Sequence, residues 1–197
     1  MTNFLELSTM LRLEELVAVG DYFALNPRIE TPGEPRPYVD LEVLRSWLRS
    51  TTGRGVRRAR SAADLVRHGV ESPRETLLRL IAVGAGLPEP VCGYELIDAF
   101  GQTIGWFDLA WPEWRTIAEY DGDQHRTSDS QYEKDIGRFD RASEADWRVI
   151  RVRKRGVFEE RDETVRRIAL ALQRGGCRNP FPNRRRVLVR APYQGRF

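Results

Sequence analysis

The segment FDLAWPEWRTIAEYDGDQH, residues 107–125, contains two strand-like runs joined by a proline-containing turn, together with five acidic residues. Three of these acids, Glu119, Asp121 and Asp123, fall within five positions. The chain as a whole is basic, with 32 Lys and Arg against 29 Asp and Glu. Because carboxylates placed so close together repel one another, the segment predicts that a positive charge lies between them.

The turn in this segment predicts how the two strands pair. Proline at the second position of Trp111-Pro112-Glu113-Trp114 has the φ angle that a type I turn requires. A hairpin closed there pairs Ala110 with Arg115 and Asp108 with Ile117. Side chains alternate between the faces of a sheet, so this register determines which acids share a face.

In this register, Asp108 and Glu119 are diagonal neighbours on one face, with Cα atoms about 7–8 Å apart. Two carboxylates at that spacing can converge on one ion, and Mg²⁺ or Mn²⁺ is the cation that oxygen ligands of this kind favour. The alternative is that Asp121-Gly122-Asp123 forms only a turn and that Asp108 is an exposed residue. The spacing alone leaves both interpretations open.

The remainder of the chain predicts one α/β domain with a helical segment before it and a basic tail after it. Capping signals and apolar periodicity give helices within 1–70, and 71–175 follows the order helix, three strands, helix, strand, helix. The tail, 176–197, carries six arginines and no acid. The predicted strands are 92–97, 103–110, 115–121 and 147–152.

Composition excludes several classes of protein. Of 197 residues, 41% are hydrophobic and 31% charged, which is typical of a globular chain. Two cysteines and two histidines give neither a zinc spacing nor a disulfide framework. The N-terminus shows no signal peptide, and no apolar run is long enough to cross a bilayer. We therefore expect a cytoplasmic protein with reduced thiols and no membrane partner.

Two groups of residues outside the segment have both a structural and a functional interpretation. Ser72-Pro73-Arg74-Glu75 is a helix start in which Glu75 completes a capping box, and the same carboxylate could serve catalysis. Arg57 and Arg58 lie on the polar side of a predicted helix, where they form either a solvated face or a set of phosphate contacts.

The order of these elements and acids resembles the PD-(D/E)XK restriction-endonuclease-like nucleases. The stretches ESPRETLLRL, FDLAWPEWRTIAEYDGDQHR and DWRVIRV more closely resemble an uncharacterised bacterial, largely actinobacterial, family related to the very-short-patch repair endonucleases. The resemblance covers about residues 71–173. It implies a mixed four-stranded sheet flanked by helices and Mg²⁺- or Mn²⁺-dependent hydrolysis of phosphodiester bonds in DNA.

The resemblance also assigns roles to residues of this chain. Asp108 corresponds to the motif aspartate and Glu119 to its acidic partner, and the carbonyl of Tyr120 completes the predicted metal ligands. Glu75 corresponds to the acid on the first helix. The superfamily's lysine falls on Asp121, which is left open as a second metal ligand or a turn former.

The missing lysine needs a substitute in this interpretation. His125 is the natural candidate for acid–base duty, since a neighbouring carboxylate raises the pKa of a histidine, although it could equally be a surface residue. Arg126 or Lys134 could instead reach the site from the helix side. The predicted contacts to DNA phosphates are Arg57, Arg58, Arg126, Lys134, Arg184, Arg185 and Arg186.

A second function remains open from the sequence. Loss of the motif lysine and a short N-terminal segment favour a protein that keeps the nuclease fold and binds nucleic acid without cleaving it. An antitoxin-like regulator would be of this kind. Cleavage and binding assays distinguish the two functions.

Overall fold

The structure is a computed structural model that describes residues 1–29, 31–122 and 129–181. For residues 129–136 it describes the backbone only. The chain forms two compact units, Met1–Leu77 and Leu78–Phe197, and the division falls within one helix. The sequence predicted the segments 1–70, 71–175 and 176–197. Each unit has its own buried side chains and is described by itself.

The first unit is helical. Its helices are α1 (Thr2–Leu7), α2 (Leu13–Ala24), α3 (Leu41–Ser50), α4 (Val56–Leu65) and the start of α5 (Pro73–Gly84). The Asp40 side chain accepts the Val43 N–H at 2.9 Å and caps α3, as the sequence predicted. A buried Asp21 accepts the Thr76 hydroxyl at 2.7 Å and the Arg67 N–H at 2.8 Å, so its carboxylate is satisfied inside the bundle.

The second unit is built on a four-stranded mixed sheet, which confirms the predicted α/β class. The strands are β1 (Val91–Ile97), β2 (Thr103–Trp111), β3 (Thr116–Tyr120) and β4 (Arg148–Val152), in the spatial order β1-β2-β3-β4. β1–β2 and β2–β3 are antiparallel, whereas β3–β4 is parallel. The parallel pair needs a crossover, which α6 (Asp129–Glu144) provides.

Helices pack on this sheet through apolar side chains. α6 contacts β2 and β4, and α8 (Arg161–Arg174) contacts β3 and β4. Phe107, Ile117 and Ala142 belong to one buried cluster, against which Phe139 and Trp147 pack. The acidic segment leaves the sheet at the shared ends of β3 and β4, where Tyr120 is paired with Val152.

Two helices were not predicted, and one begins earlier than expected. α1 and α7 (Lys154–Phe158) are short, at 6 and 5 residues, so apolar periodicity has little length in which to show. Asp162 lies in the first turn of α8 rather than at its cap, which is Glu160. Among the helices of the described residues, none has the length and apolar character that crossing a bilayer requires.

The predicted register of the β2–β3 hairpin is wrong. The pair that closes the hairpin was predicted to be Ala110 with Arg115, and it lies one residue further along each strand's numbering. The observed pairs are Trp111 with Thr116, and Ala110 with Ile117. The loop is therefore 112–115, a single 3₁₀ turn followed by Arg115 at φ 44°. Trp111 remains in β2 because its side chain is buried and its Nε1 donates to the Pro88 carbonyl at 2.8 Å.

Gly175, directly after α8, lies close to Trp114 in the hairpin loop, and a substitution there tests this contact. A Cβ at that position would lie 2.2 Å from the Trp114 carbonyl oxygen, a backbone atom that cannot move away cheaply. We expect Gly175→Ala to lower the free energy of unfolding by about 1–3 kcal/mol in urea denaturation.

Gly137→Ala is the matched control for this substitution. Among the side chains that the structure describes, the nearest atom to its Cβ would be the flexible end of Arg141 at 3.4 Å, and alanine favours helix α6 by up to about 1 kcal/mol. Equal stability of Gly175→Ala and the wild type would contradict the close approach to Trp114.

Candidate functional site

The candidate site lies where β2 and β3 separate. The observed backbone pairing ends at Leu109 and Ala118, and Asp108 and Glu119 are the next residue on each strand. Beyond the last backbone pair, side-chain carboxylate oxygens accept the hydrogen bonds of backbone N–H groups from the opposite strand. The Asp108 N–H donates to Glu119 Oε2 at 3.1 Å, and the Tyr120 N–H donates to Asp108 Oδ2 at 2.7 Å. Each carboxylate therefore accepts a hydrogen bond from the backbone of the opposite strand.

Glu119 carries an ion pair with an arginine of α6. Glu119 is only 8% exposed, and its Oε1 accepts from Arg138 Nη2 at 2.6 Å. Arg138 also donates through Nη1 to the Trp106 carbonyl. Its guanidinium carbon lies 4.8 Å from the centre of the Phe107 ring and 4.9 Å from that of Phe139. Charge, hydrogen bonds and two aromatic faces fix this guanidinium in place.

Gly105 makes room for the Arg138 side chain across β2. A Cβ on Gly105 would lie 2.3 Å from Arg138 Cδ and 2.6 Å from its Cγ. Any side chain at position 105 would therefore displace the arginine stem. The glycine in this strand is explained by the close approach of another side chain rather than by an unusual φ.

Asp121 is paired with two arginines from the end of β4. Its Oδ2 lies 3.0 Å from Arg151 Nη2 and 3.4 Å from Arg153 Nε. Its N–H donates to the Val152 carbonyl at 2.8 Å, so β3 continues to follow β4 one residue past its end. Arg167 of α8 donates to the Arg151 carbonyl at 3.1 Å. Basic side chains therefore border the acidic pair.

These contacts answer the question that the crowded acids raise. The chain itself supplies positive charge to Glu119 through Arg138, and to Asp121 through Arg151 and Arg153. Opposite charges at these distances attract strongly where water is partly excluded. The acidic cluster is therefore compatible with a folded protein before any metal ion is considered.

The predicted site residues are divided between the two units. Glu75 lies in the first unit, where its Oε2 accepts the Glu71 N–H at 2.8 Å and its own N–H donates to Ser72 Oγ at 3.3 Å. Its capping role is thus confirmed. Several predicted residues lie outside the described side chains: His125, Arg126, Lys134, Arg184, Arg185 and Arg186.

The two arginines predicted on α4 differ in their surroundings. Both are exposed, but Arg58 donates through Nη1 to the carbonyls of Ser8 and Leu11, at 3.1 and 3.0 Å. These bonds give Arg58 a structural role at the end of α1. The contact of Arg57 or Arg58 with DNA phosphates remains a prediction.

Sequence reasoning missed Arg138, Arg151 and Arg153 as members of this site. One signal was present for Arg151, which stands inside the apolar run WRVIRV as Glu119 stands inside TIAEY. In the parallel register, Glu119 is the partner of Arg151. Charged residues of opposite sign in two apolar strands therefore indicate a shared polar site.

The donor chemistry suits a hard divalent cation. Asp108 and Glu119 present carboxylate oxygens, and Mg²⁺ commonly uses one or two carboxylates together with water and substrate phosphate oxygens. Among the side chains that the structure describes, no group of three or more His, Cys, Asp and Glu residues converges as a metal site. Among the described residues, the candidate ligands for a cation here are the two carboxylates and the predicted Tyr120 carbonyl.

The described residues define a mixed α/β protein whose four-stranded sheet carries a carboxylate pair where two strands separate. The chain is similar to two proteins of Mycobacterium tuberculosis, uncharacterized protein MT2308 of strain CDC 1551 / Oshkosh and uncharacterized protein Rv2248 of strain ATCC 25618 / H37Rv. Each is 29% identical over 121 residues, which is 61% of this chain and 44% of the relative. The chain thus spans less than half the length of these relatives. No protein-family model and no solved structure matches it.

Proposed function

We propose that the second unit is a restriction-endonuclease-like domain and that the protein is a Mg²⁺- or Mn²⁺-dependent DNA endonuclease. The observation that carries the proposal is the reciprocal bonding of Asp108 and Glu119 across the separating strands. It holds two carboxylates together on rigid strands. The order of helix, three strands, helix and strand supports the same proposal, since it is the order that the sequence resemblance implies.

In this proposal the carboxylates bind the metal ion and the arginines bind the substrate. Asp108, Glu119 and the Tyr120 carbonyl would hold the cation, which lowers the pKa of bound water and neutralises charge on the scissile phosphate. The Tyr120 N–H fixes the Asp108 carboxylate through its 2.7 Å bond. The Asp108 N–H likewise fixes Glu119, so both acids are oriented before substrate arrives.

The phosphate side of the site would come from the end of β4. Arg151 and Arg153 flank Asp121. Lys154, the next residue along the chain, is exposed, and so is Arg167 of α8, which donates to the Arg151 carbonyl. Guanidinium groups bind phosphate oxygens in a planar, two-pronged geometry. Arg57, Arg126, Lys134 and Arg184–Arg186 are proposed to add further phosphate contacts, and His125 to serve as the acid or base.

One observation favours a second function, nucleic-acid binding without cleavage. Asp121 stands where the resemblance places a lysine, and two arginines neutralise it. Glu119 is likewise bound to Arg138. A site whose acids are paired internally can keep the fold and the basic surface without holding a metal ion. An antitoxin-like regulator would have these properties.

Cleavage assays separate the two functions. Purified protein is incubated with supercoiled plasmid and with circular single-stranded DNA, in Mg²⁺, in Mn²⁺ and in EDTA, and nicked and linear products are measured on gels. Cutting in either metal and none in EDTA supports the endonuclease. Retarded migration of DNA without cutting in any metal supports the binding protein. Absence of both would contradict both proposals.

Arg153 provides a test of the phosphate side by itself. We expect Arg153→Gln to weaken binding to DNA of any sequence and to reduce the slope of log affinity against log salt by about 0.9, the value for one lost phosphate contact. Fluorescence anisotropy of a labelled duplex in EDTA, at several salt concentrations, measures this slope.

Arg166→Gln is the control for Arg153→Gln, because it removes the same charge from α8. Arg166 is bound to Glu163, and this hydrogen-bonded guanidinium lowers the pKa of the Glu163 carboxyl. Arg166 makes two 2.7 Å bonds to Glu163, whereas Arg153 has a single 3.4 Å contact with Asp121, so the Arg166 charge should contribute less to phosphate binding. An equal change of slope in both variants would show that only net charge matters and would contradict a phosphate contact at Arg153.

A further inference from the structure

The Arg138 guanidinium already supplies a positive charge to the carboxylate proposed to bind metal. Its Nη2 lies 2.6 Å from Glu119 Oε1. We infer that Arg138 competes with a divalent cation for Glu119, so that this arginine sets the affinity of the carboxylate pair for Mg²⁺ or Mn²⁺. The inference rests on the proposed function, because it concerns the same two carboxylates.

The position of Arg138 is built into the fold rather than reached by a freely moving side chain. The guanidinium carbon lies over the faces of two aromatic rings, 4.8 Å from the centre of the Phe107 ring and 4.9 Å from that of Phe139. It donates to the Trp106 carbonyl, and its stem passes over Gly105. The arginine side chain is only 20% exposed, so water screens its pairing with Glu119 poorly.

Electrostatics makes the arginine and the metal ion alternatives. A divalent cation binds a carboxylate oxygen at roughly 2.0–2.1 Å for Mg²⁺, and a guanidinium nitrogen on the same oxygen would repel it. Binding of a cation at Glu119 Oε1 therefore requires Arg138 to withdraw. Without the guanidinium, the buried carboxylate loses this counter-charge and attracts a cation more strongly.

Isothermal titration of Mn²⁺ alone into the full-length protein tests the inference. We expect Arg138→Gln to bind Mn²⁺ at least about tenfold more tightly than the wild type, since the ion pair no longer opposes the metal. Arg141→Gln is the matched control. It removes the same charge one turn further along α6, where Arg141 donates to the Ile104 carbonyl at 3.2 Å, and it should leave the affinity unchanged.

Gly105→Ala tests the same competition without changing any charge. The added Cβ would lie 2.3 Å from Arg138 Cδ, and the long side chain can move away from it. We expect the arginine to be displaced from Glu119 and the affinity for Mn²⁺ to rise several-fold. If net charge alone governed the affinity, Gly105→Ala would behave like the wild type, and the competition at Glu119 would be overturned.

The remaining outcomes also decide the inference. Equal Mn²⁺ affinity of Arg138→Gln and the wild type, or no binding by either, would overturn it. So would tight binding that persists in the double variant Arg138→Gln with Glu119→Gln, since the ion would then lie elsewhere. Thermal unfolding in EDTA checks that each variant is folded.

Failure of this inference can be distinguished from failure of the proposed endonuclease. Tighter Mn²⁺ binding by Arg138→Gln, with no DNA cleavage by any variant, supports the competition and contradicts the endonuclease. Metal-dependent cleavage by a wild type whose Mn²⁺ affinity equals that of Arg138→Gln supports the endonuclease and contradicts the competition. Calorimetry therefore tests the competition between Arg138 and the metal ion, and the gel assay tests the endonuclease.

Discussion

Replacing Asp108 by Asn is expected to lower the rate of the proposed metal-dependent DNA cleavage by at least about 100-fold. The substitution removes one of the two charges proposed to hold the cation, and loss of a metal ion's stabilisation of the transition state costs several kcal/mol. The asparagine oxygen can still accept the Tyr120 N–H that Asp108 Oδ2 accepts at 2.7 Å. The fold should therefore be retained. Initial rates on supercoiled plasmid in saturating Mn²⁺ measure the effect.

Asp98→Asn is the matched control for Asp108→Asn. Asp98 lies in the β1–β2 turn, where its Oδ1 accepts the N–H groups of Phe100 and Gln102 at 2.8 Å each. The change of side chain is the same, and the amide oxygen can again accept backbone N–H groups. We expect full cleavage by Asp98→Asn. Cleavage by Asp108→Asn at the wild-type rate would remove Asp108 from the site, whatever its place in the strand.

Local sequence signals predicted the elements of this fold well because each signal acts within a few residues. Asp40 caps α3 and Glu75 caps α5 through bonds to backbone groups close to them in sequence. The strand patterns predicted four strands, and the resemblance implied that they form a mixed sheet, as observed. The two acids in β2 and β3 were predicted on one face, and a shift of one residue on each strand keeps that relation.

The counter-charges of the site were not predictable in the same way. Arg138 reaches Glu119 from 19 positions away in the sequence, and Arg151 reaches Asp121 from 30 positions away. Long side chains can point in many directions, so only the packing of α6 and β4 on the sheet selects these partners. The sequence predicted that a positive charge was needed and suggested a metal ion, but arginines supply much of it.

The hairpin loop shows how a tertiary contact overrides a local turn signal. Pro112 suits the predicted turn closed by Ala110 and Arg115. The Trp111 side chain, however, is buried and bonded to the Pro88 carbonyl, which keeps Trp111 in the strand and moves the loop on by one residue. The contact with Pro88 is not visible in the segment itself. It nevertheless makes Asp108 and Glu119 the first residues beyond the last backbone pair of the hairpin, Leu109 with Ala118.

Trp111→Ala is therefore expected to have the largest effect on stability, a loss of about 3–5 kcal/mol in the free energy of unfolding. The indole is 2% exposed, so its removal leaves a cavity beside the last pair of the hairpin. It also removes the hydrogen-bond donor to the Pro88 carbonyl. Denaturation in urea, followed by tryptophan fluorescence and circular dichroism, measures the loss.

Trp111→Phe separates the cavity from the hydrogen bond. Phenylalanine keeps most of the aromatic volume but has no N–H, so its cost should be smaller than that of alanine and include about 1–3 kcal/mol for the Pro88 carbonyl left without this donor.

Because Trp111 pairs with Thr116 and so holds the register, the alanine variant should also lose cleavage in proportion to its unfolded or misregistered fraction. A loss below about 1 kcal/mol for Trp111→Ala would show that the hairpin keeps its register without the indole.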